Sequence, residues 1–403
     1  MQVLVLNCGS SSIKFQLSDV DTGTVTSHGI VARIGEMGAY LQVDGPRGRW
    51  RHERAITSHA EGLEALIAAL LGPETGALAS LADIRAVGHR AVHGGDLFVE
   101  SVLITDGVLA KMEECVPLAP LHNPANLVGI REARRLLPGI PQVAVFDTTF
   151  HQTMPPKAFR YAIPQKYHGE HHVRRYGFHG TSYRYVCARA AAMLSRDLAE
   201  LRLVACHLGN GCSIAAVAGG RSIDTSMGMT PLEGLVMGTR SGDIDAGVVL
   251  FLIRQLGMSA ESVDHLLNDE SGLLGLSGIG NDMRVITERA EAGDAECRLA
   301  LEVFAYRVKK YVGAYAAAMG GLDALIFTAG IGENSALVRR MVCDGLSFLG
   351  IEVDELANAT AHAREQDISV LGASVRVLVI PTDEERMIVS DTLALAGLVP
   401  VRS

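Results

Sequence analysis

No C-x-x-C pair occurs among the seven cysteines, which stand alone at positions 8, 115, 187, 206, 212, 297 and 343. An odd, scattered set excludes a disulfide framework and fits reduced thiols in a cytoplasm. No stretch of about twenty residues is apolar enough to cross a bilayer. Met1-Gln2 offers no charged leader ahead of the first apolar run, so no secretory signal is expected. Basic residues are in deficit: 36 Lys and Arg against 45 Asp and Glu give a formal net charge of −9. That balance argues against nucleic acid as a partner, although a local basic pocket for an anionic substrate stays open. No G-x-x-x-x-G-K-[ST] segment exists, which excludes a P-loop enzyme. The expectation is a cytoplasmic protein that engages neither membrane nor nucleic acid.

What is abundant is apolar matter. Hydrophobic residues make up 48% of the 403 positions and charged residues 20%, so large cores can form and the length suggests two domains. Near the start, "VLVLNCGSSSIKFQL" (residues 3–17) places apolar runs on both sides of small residues. This pattern predicts two strands joined by a turn of about six residues. The turn carries Asn7, Ser10, Ser12 and Lys14 and could offer N–H groups, hydroxyls and an ammonium to a phosphate or its metal. An edge hairpin with a polar tip would read the same way.

A second strand–turn–strand, "LVACHLGNGCSIAAVAGGRSIDTSMG" (residues 203–228), repeats the arrangement, and a Ser-Ile pair follows the turn in both places. Two such hairpins heading similar halves suggest a duplicated domain. Between and after them strands and helices alternate. "IRAVGHRAVHGG" and "PQVAVFDTTF" read as strands, and "NPANLVGIREARRLL" as a helix with Leu127, Ile130, Ala133 and Leu137 on one face. Leu301, Phe304, Val308, Val312, Tyr315 and Met319 form a second helical stripe. "LDALIFTAGIGENS" is a buried strand running into a glycine loop, and "VRVLVIPTDEERMIVSDTLALAG" a strand, a turn and a closing helix. The implied class is α/β in two halves, with no low-complexity linker to mark their boundary.

Several polar constellations stand out from this frame. "HLGNG" (residues 207–211) is either a plain hairpin turn or a second phosphate grip. "AGIGEN" (residues 329–334) has the strand–loop–helix layout that receives anions, without the third glycine of a dinucleotide fingerprint. Arg90 and His93 in "GHRAVHGGD", Arg240 in "MGTRSGDID" and His179 in "YGFHGTSYRYV" are cationic or titratable groups flanked by glycine. Asp147 ends the strand "VAVF", where α/β sheets present catalytic groups, and Glu384 lies in the acidic turn "TDEER". Three histidines in "HGEHHVRR" give no closed tetrahedral metal site. Cys206 and Cys212 read as inert, and Arg131, Arg134 and Arg135 as the solvated face of a helix.

Taken in order, "VLVLNCGSSSIK", "GHRAVHGG", "FDTTFHQTMP", "RRYGFHGTSY", "LVACHLGNGCSIAAVAGG", "DTSMGMTPLEGLVMGTRSGDID", "TAGIGENS" and "PTDEE" resemble the signature segments of the acetate kinases, within the short-chain carboxylate kinases. The similarity covers essentially the whole chain. It implies two duplicated actin-like (ribonuclease H-like) domains, as in actin, Hsp70 and hexokinase, each a mixed sheet flanked by helices, with the active site in the cleft between them. The boundaries expected are 1–149, completed by a closing helix 386–403, and 150–385 for the nucleotide-binding domain. The resemblance further implies reversible phosphoryl transfer between ATP and acetate, giving acetyl phosphate and ADP. Mg2+ is the implied metal, with Mn2+ as the alternative, and the implied assembly is a homodimer.

Residue by residue, Asn7 and Glu384 resemble the family's metal-linked residues and Lys14 its nucleotide contact, with Ser10 and Ser12 in the phosphate loop. His207, Leu208, Gly209, Asn210 and Gly211, then Asp282, Met283 and Arg284, then Gly330, Ile331, Gly332, Glu333 and Asn334 resemble its nucleotide-binding segments. Arg90 is similar to the substrate carboxylate ligand, Asp147 to the catalytic carboxylate, and His179 and Arg240 to the transition-state stabilisers. Val92, Leu121, Phe178 and Pro231 are implied to wall the pocket for the methyl group. The departures are Cys8 for a common Ala, Asp383 for a common Asn, and Asp96 for a usual Glu.

These residue types suit phosphoryl transfer, which needs positioning and charge neutralisation more than covalent help. Acetate is already ionised at neutral pH, so Asp147 has no proton to take and is expected to orient Arg90 or a metal-bound water. Propionate or butyrate kinase is the same chemistry with another pocket, and a non-catalytic actin-like nucleotide-binding module is the reading from a different class.

Overall fold

The computed structural model describes residues 1–120 and 122–398. The chain forms two units, Met1–Thr149 together with the segment from Asp383 on, and Phe150–Thr382. In the first unit, β1 (Gln2–Cys8), β2 (Ser12–Asp19), β3 (Val25–Ala32), β4 (Tyr40–Gly45), β5 (Gly48–Glu53), β6 (Ile84–Ala91), β7 (Val102–Leu103) and β8 (Gln142–Phe146) build one sheet. Among the described residues its order is β5-β4-β3-β2-β1-β6-β8-β7, with β1, β6 and β8 mutually parallel.

Alternation along β1 decides what covers each face. Leu4, Leu6 and Cys8 enter one core with Leu63, Leu66 and Ala133 from helices His59–Leu71 and Asn123–Leu136. Val3 and Val5 point the other way and meet Leu393 and Ile388 of the closing helix. That helix can lie on β6 because Gly88 has no side chain. A Cβ there would sit 2.4 Å from Thr392 Oγ1 and 2.6 Å from Ile388 Cγ2.

The closing helix, expected over 386–403, runs Glu384–Leu395. It starts earlier because the Asp383 carboxylate caps it, accepting from the Arg386 N–H at 2.9 Å. Residues 399–403 of that expectation lie outside the described residues. The first hairpin turn is also tighter than expected. Asn7 and Cys8 stay in the ladder opposite Lys14 and Ile13, which leaves Gly9–Ser11 as the connection.

The second unit repeats the scheme. Among the described residues β9 (Arg202–Leu208), β10 (Cys212–Ala218), β11 (Arg221–Thr225), β12 (Ala324–Thr328), β13 (Gln366–Asp367) and β14 (Arg376–Val379) lie in the order β11-β10-β9-β12-β14-β13. An antiparallel hairpin, β9–β10, is followed by parallel neighbours β12 and β14, just as β1–β2 is followed by β6 and β8. The duplication expected from the two hairpins is therefore present in strand order. Helix Gly180–Leu194 packs Tyr183, Val186, Cys187 and Ala190 on one face of this sheet, and the long helix Ala295–Met319 contacts β9 and β10. Of the stripe read from Leu301 to Met319, Leu301, Phe304, Val308, Val312 and Tyr315 are buried, and Met319, at the end of the helix, is half-buried.

Candidate active site

In the first unit, pairing of β6 with β8 places Arg90 opposite Val145 and Ala91 opposite Phe146. Asp147, one residue past β8, therefore emerges beside Ala91 and donates its N–H to the Ala91 carbonyl at 3.0 Å. Its carboxylate is buried and takes the Arg90 fork side-on, Nε to Oδ1 at 3.0 Å and Nη2 to Oδ2 at 2.6 Å. Such a two-pronged contact fixes the plane of the guanidinium as well as its position. Glu384, at the start of the closing helix, brings Oε2 to 3.8 Å from Arg90 Nε. Burial works against the Arg90 charge, but Asp147 and Glu384 outweigh it and hold the guanidinium more firmly charged than usual. Burial pushes the Glu384 carboxyl up to about 7, opposed by Arg90 and Lys14 and reinforced by Asp147 and Glu385.

The segment after Arg90 is clasped by two buried asparagines that the sequence reading passed over. Asn126 accepts from the Val92 N–H at 3.0 Å and donates to the Cys8 carbonyl at 2.8 Å. Asn123 accepts from the His93 N–H at 3.2 Å and donates to the His93 and Cys115 carbonyls. Their signal was two amides, three residues apart, on the side of helix Asn123–Leu136 that faces the protein. Asn7 and Lys14 face each other across the first hairpin and, with Glu385, line a cavity of about 240 Å3. Ser10 is exposed on the turn and Ser12 half-buried at its end. Val92 is half-buried, and Leu121 lies outside the described residues.

In the second unit, His179 stands immediately before helix Gly180–Leu194 in a left-handed backbone conformation (φ 59°), and its side chain makes no capping bond. Its ring stacks on His207 with centroids 4.0 Å apart. A Cβ on Gly211 would lie 3.7 Å from His179 Nε2 and 3.8 Å from Arg240 Nη1, so the glycine floors a niche edged by the imidazole and the guanidinium. Arg240 donates from Nη1 to the Pro231 carbonyl at 3.3 Å. Burial lowers the pKa of Arg240, partly offset by Asp269. Phe178 is buried and its carbonyl accepts from His151 Nε2 at 2.9 Å.

Three separate segments meet at a cavity of about 900 Å3 in this unit. Its lining includes Gly209 and Asn210, then Asp282, Met283 and Arg284, then Gly330, Ile331 and Asn334. Asn281, Thr287, Glu288, Ser335, Ala336 and Leu337 complete the wall and were not anticipated. Asn281 donates to Asn210 Oδ1 at 2.9 Å, linking the hairpin turn to the start of helix Met283–Glu291. Asp282 caps that helix and is held down to about 2 by its bonds from Arg284. Of the expected nucleotide residues, Lys14, His207, Leu208, Gly211, Gly332 and Glu333 do not line this cavity. Leu208 is fully buried in the sheet, and Glu333 turns away to accept the Thr382 N–H at 3.2 Å. Burial raises the pKa of Glu333. Cys206 and Cys212 are buried, and the Cys212 thiol is pushed up to about 12 by burial. Among the described residues no cluster of three or more His, Cys, Asp or Glu is arranged to hold a metal ion.

The model of the acetokinase family matches residues 2–390. The chain belongs to the acetokinase family. Within it, this acetokinase-family chain is 52% identical over 396 residues to the acetate kinase of Carboxydothermus hydrogenoformans, covering 98% of this chain and 99% of that protein. The crystal structure of Porphyromonas gingivalis acetate kinase superposes with a TM-score of 0.94 at 49% identity, covering 98% of this chain and 99% of that one. A propionate kinase from Francisella tularensis superposes with a TM-score of 0.92 at 43% identity and the same coverage.

Proposed function

We propose that the protein is a cytoplasmic acetate kinase that moves a phosphoryl group reversibly between ATP and acetate. The observation that carries this reading is its end-to-end likeness to proteins named acetate kinase. In this reading the two units are its two actin-like domains, the second holding the nucleotide. The Arg90–Asp147 geometry supports an acceptor role for Arg90. Asp147 engages Nε and one N–H of Nη2, which leaves the Nη1–Nη2 end of the fork to grip a substrate carboxylate. Asp147 is then a positioning group rather than a base. A free oxygen of the bound carboxylate attacks the γ-phosphorus as the bond to the ADP oxygen breaks, and no proton moves. His179 and Arg240 donate to the equatorial oxygens, where charge is spread in transit.

Asn7 supplies an amide oxygen and Glu384 a carboxylate whose burial raises its pKa to about 7, a charge that a neighbouring divalent cation would restore. This donor set fits Mg2+ or Mn2+ held largely through water. When bound, the ion would neutralise nucleotide phosphate charge.

Val92, Phe178 and Pro231 are proposed to wall the methyl pocket. Propionate kinase is the second reading, favoured by the Francisella neighbour. A coupled assay of ADP formation with acetate, propionate and butyrate decides between them. The highest kcat/KM is expected with acetate, and no acetate-dependent ADP, or a preference for a longer acid, would overturn the proposal. A homodimer is proposed as well, and a clean 42.9 kDa species in light scattering would refute it. No described helix is long and apolar enough to cross a membrane.

A further inference from the structure

Two buried hydroxyls stand in a chain behind the His179 ring. Ser213 and Tyr183 are both fully buried. His179 Nδ1 lies 2.8 Å from Ser213 Oγ, and Ser213 Oγ is in turn hydrogen-bonded to Tyr183 Oη. Ser213 Oγ is the hydrogen-bond partner of the Tyr183 hydroxyl among the described residues, so the phenolic proton must be given to it. The alternative leaves a buried O–H without an acceptor, which costs about 1–3 kcal/mol. With the Tyr183 proton received, Ser213 still has its own hydroxyl hydrogen to place, and His179 Nδ1 is the acceptor within reach of it. A neutral imidazole that accepts at Nδ1 carries its hydrogen on Nε2.

The neighbouring ring obeys the same count. Thr382 Oγ1 donates to Ser182 Oγ at 2.8 Å, and Ser182 meets His207 Nδ1 at 2.9 Å. Two imidazoles whose planes differ by 16° with centroids 4.0 Å apart stack well when neutral and repel when both are charged. The Nε2 edge of His179 faces the niche over Gly211 beside Arg240.

We infer that Ser213 and Tyr183 are positioning residues that hold His179 in its neutral, Nε2-protonated tautomer, so that it serves as a hydrogen-bond donor to the phosphoryl group. The inference rests on the acetate kinase reading for its catalytic meaning, but the tautomer itself does not. A neutral donor aimed at developing charge needs no proton uptake before each turnover. Ser213, not singled out from the sequence except as half of a repeated Ser-Ile pair, thereby gains a role.

Long-range 1H–15N correlation on the full-length, histidine-labelled protein near neutral pH reads the tautomer directly, with His179→Asn assigning the signal. Nδ1 is expected unprotonated and Nε2 protonated. Ser213→Ala should shift His179 toward a mixture of tautomers, and Ser213→Thr should restore the wild-type pattern. Tyr183→Phe frees the Ser213 proton to turn away and should give a smaller change of the same kind. The kcat of Ser213→Ala should fall about 10-fold, the worth of one hydrogen bond. Its KM values for acetate and ATP should stay within about twofold, as expected for an interaction made in the transition state. A wild-type His179 protonated on Nδ1, or a Ser213→Ala spectrum identical to wild type, overturns the inference. Should Ser213→Ala fail to fold, the wild-type and Ser213→Thr spectra still decide it. A wild type without acetate-dependent turnover but with the expected tautomer refutes the function and leaves the proton assignment standing.

Discussion

Asp147→Asn removes one charge and almost no volume from the first unit, and so isolates what the Arg90 partner contributes. In the native arrangement the two contacts are 2.6 and 3.0 Å, and the side chains are 23% and 3% exposed. A unit pair about 4 Å apart at an effective dielectric of ~20 is worth about 4 kcal/mol. Two effects reduce the loss. The asparagine oxygen keeps one hydrogen bond, worth about 1 kcal/mol, and Glu384, 3.8 Å from Arg90 Nε, retains part of the attraction. The amide nitrogen, however, now faces an Arg90 N–H donor to donor. A net loss of about 2–3 kcal/mol in how firmly the fork is held follows. Passed fully to the acceptor substrate, that lowers kcat/KM for acetate by roughly 30- to 140-fold. Initial rates with varied acetate at saturating ATP measure it, alongside equilibrium binding of a fluorescent nucleotide. Nucleotide binding should be unchanged, because Asp147 is not among the expected nucleotide contacts and the cavity that most of them line is built from residues of the second unit. Near-normal acetate kinetics would refute the role assigned to the Asp147 charge. A loss confined to nucleotide binding would refute the division of labour between the units.

Three further outcomes follow from the same structure. Val92→Ala should raise the propionate-to-acetate ratio of kcat/KM by about 4- to 100-fold, since one extra buried CH2 is worth about 0.8 kcal/mol and relief of a clash adds to it; an unchanged ratio would remove Val92 from the pocket wall. Glu384→Ala should raise the magnesium concentration needed for half-maximal activity far more than it alters KM for acetate, and an untouched magnesium dependence would show that the carboxylate is not a metal partner. His89, buried in β6 with Nε2 2.8 Å from Gln142 Oε1, is held down to about 4 by burial, against 6.5 in the unfolded chain. The folded state therefore binds fewer protons, so stability is full above pH 6.5 and is lost as pH falls toward 4, by about 3 kcal/mol in all. Urea unfolding across that range should show the decline in the wild type and a flatter profile in His89→Gln.

By itself the sequence determined the parts that depend on near neighbours along the chain. The apolar run "VLVL" ahead of a small-residue turn marked β1, the 3.6-residue spacing of Leu127, Ile130 and Ala133 marked a helix, and the paired glycine turns betrayed the duplication. The segments around Gly209, Asp282 and Gly330 stood out because short motifs carry their own loop chemistry, and the fold brings them to one cavity. Where a strand would end was less legible: Asn7 and Cys8 joined the ladder because cross-strand partners were on offer, which no local pattern states.

Tertiary structure alone decided the rest. Arg90 and Asp147 are 57 positions apart, and only the parallel register of β6 with β8 makes them a bidentate pair. Asn123 and Asn126 look like ordinary helix residues until their amides are seen clasping the Val92–His93 backbone. Glu384 is one acid of the turn "TDEER" in the sequence, yet its carboxyl rises to about 7 because the fold takes water away and sets Asp147 and Glu385 nearby. Leu208 sits in a phosphate-like motif but spends its side chain on the sheet core. Strand pairing, desolvation and the hand-over of protons between hydroxyls and rings are properties of groups far apart in sequence, and they exist only once the chain has brought those groups together.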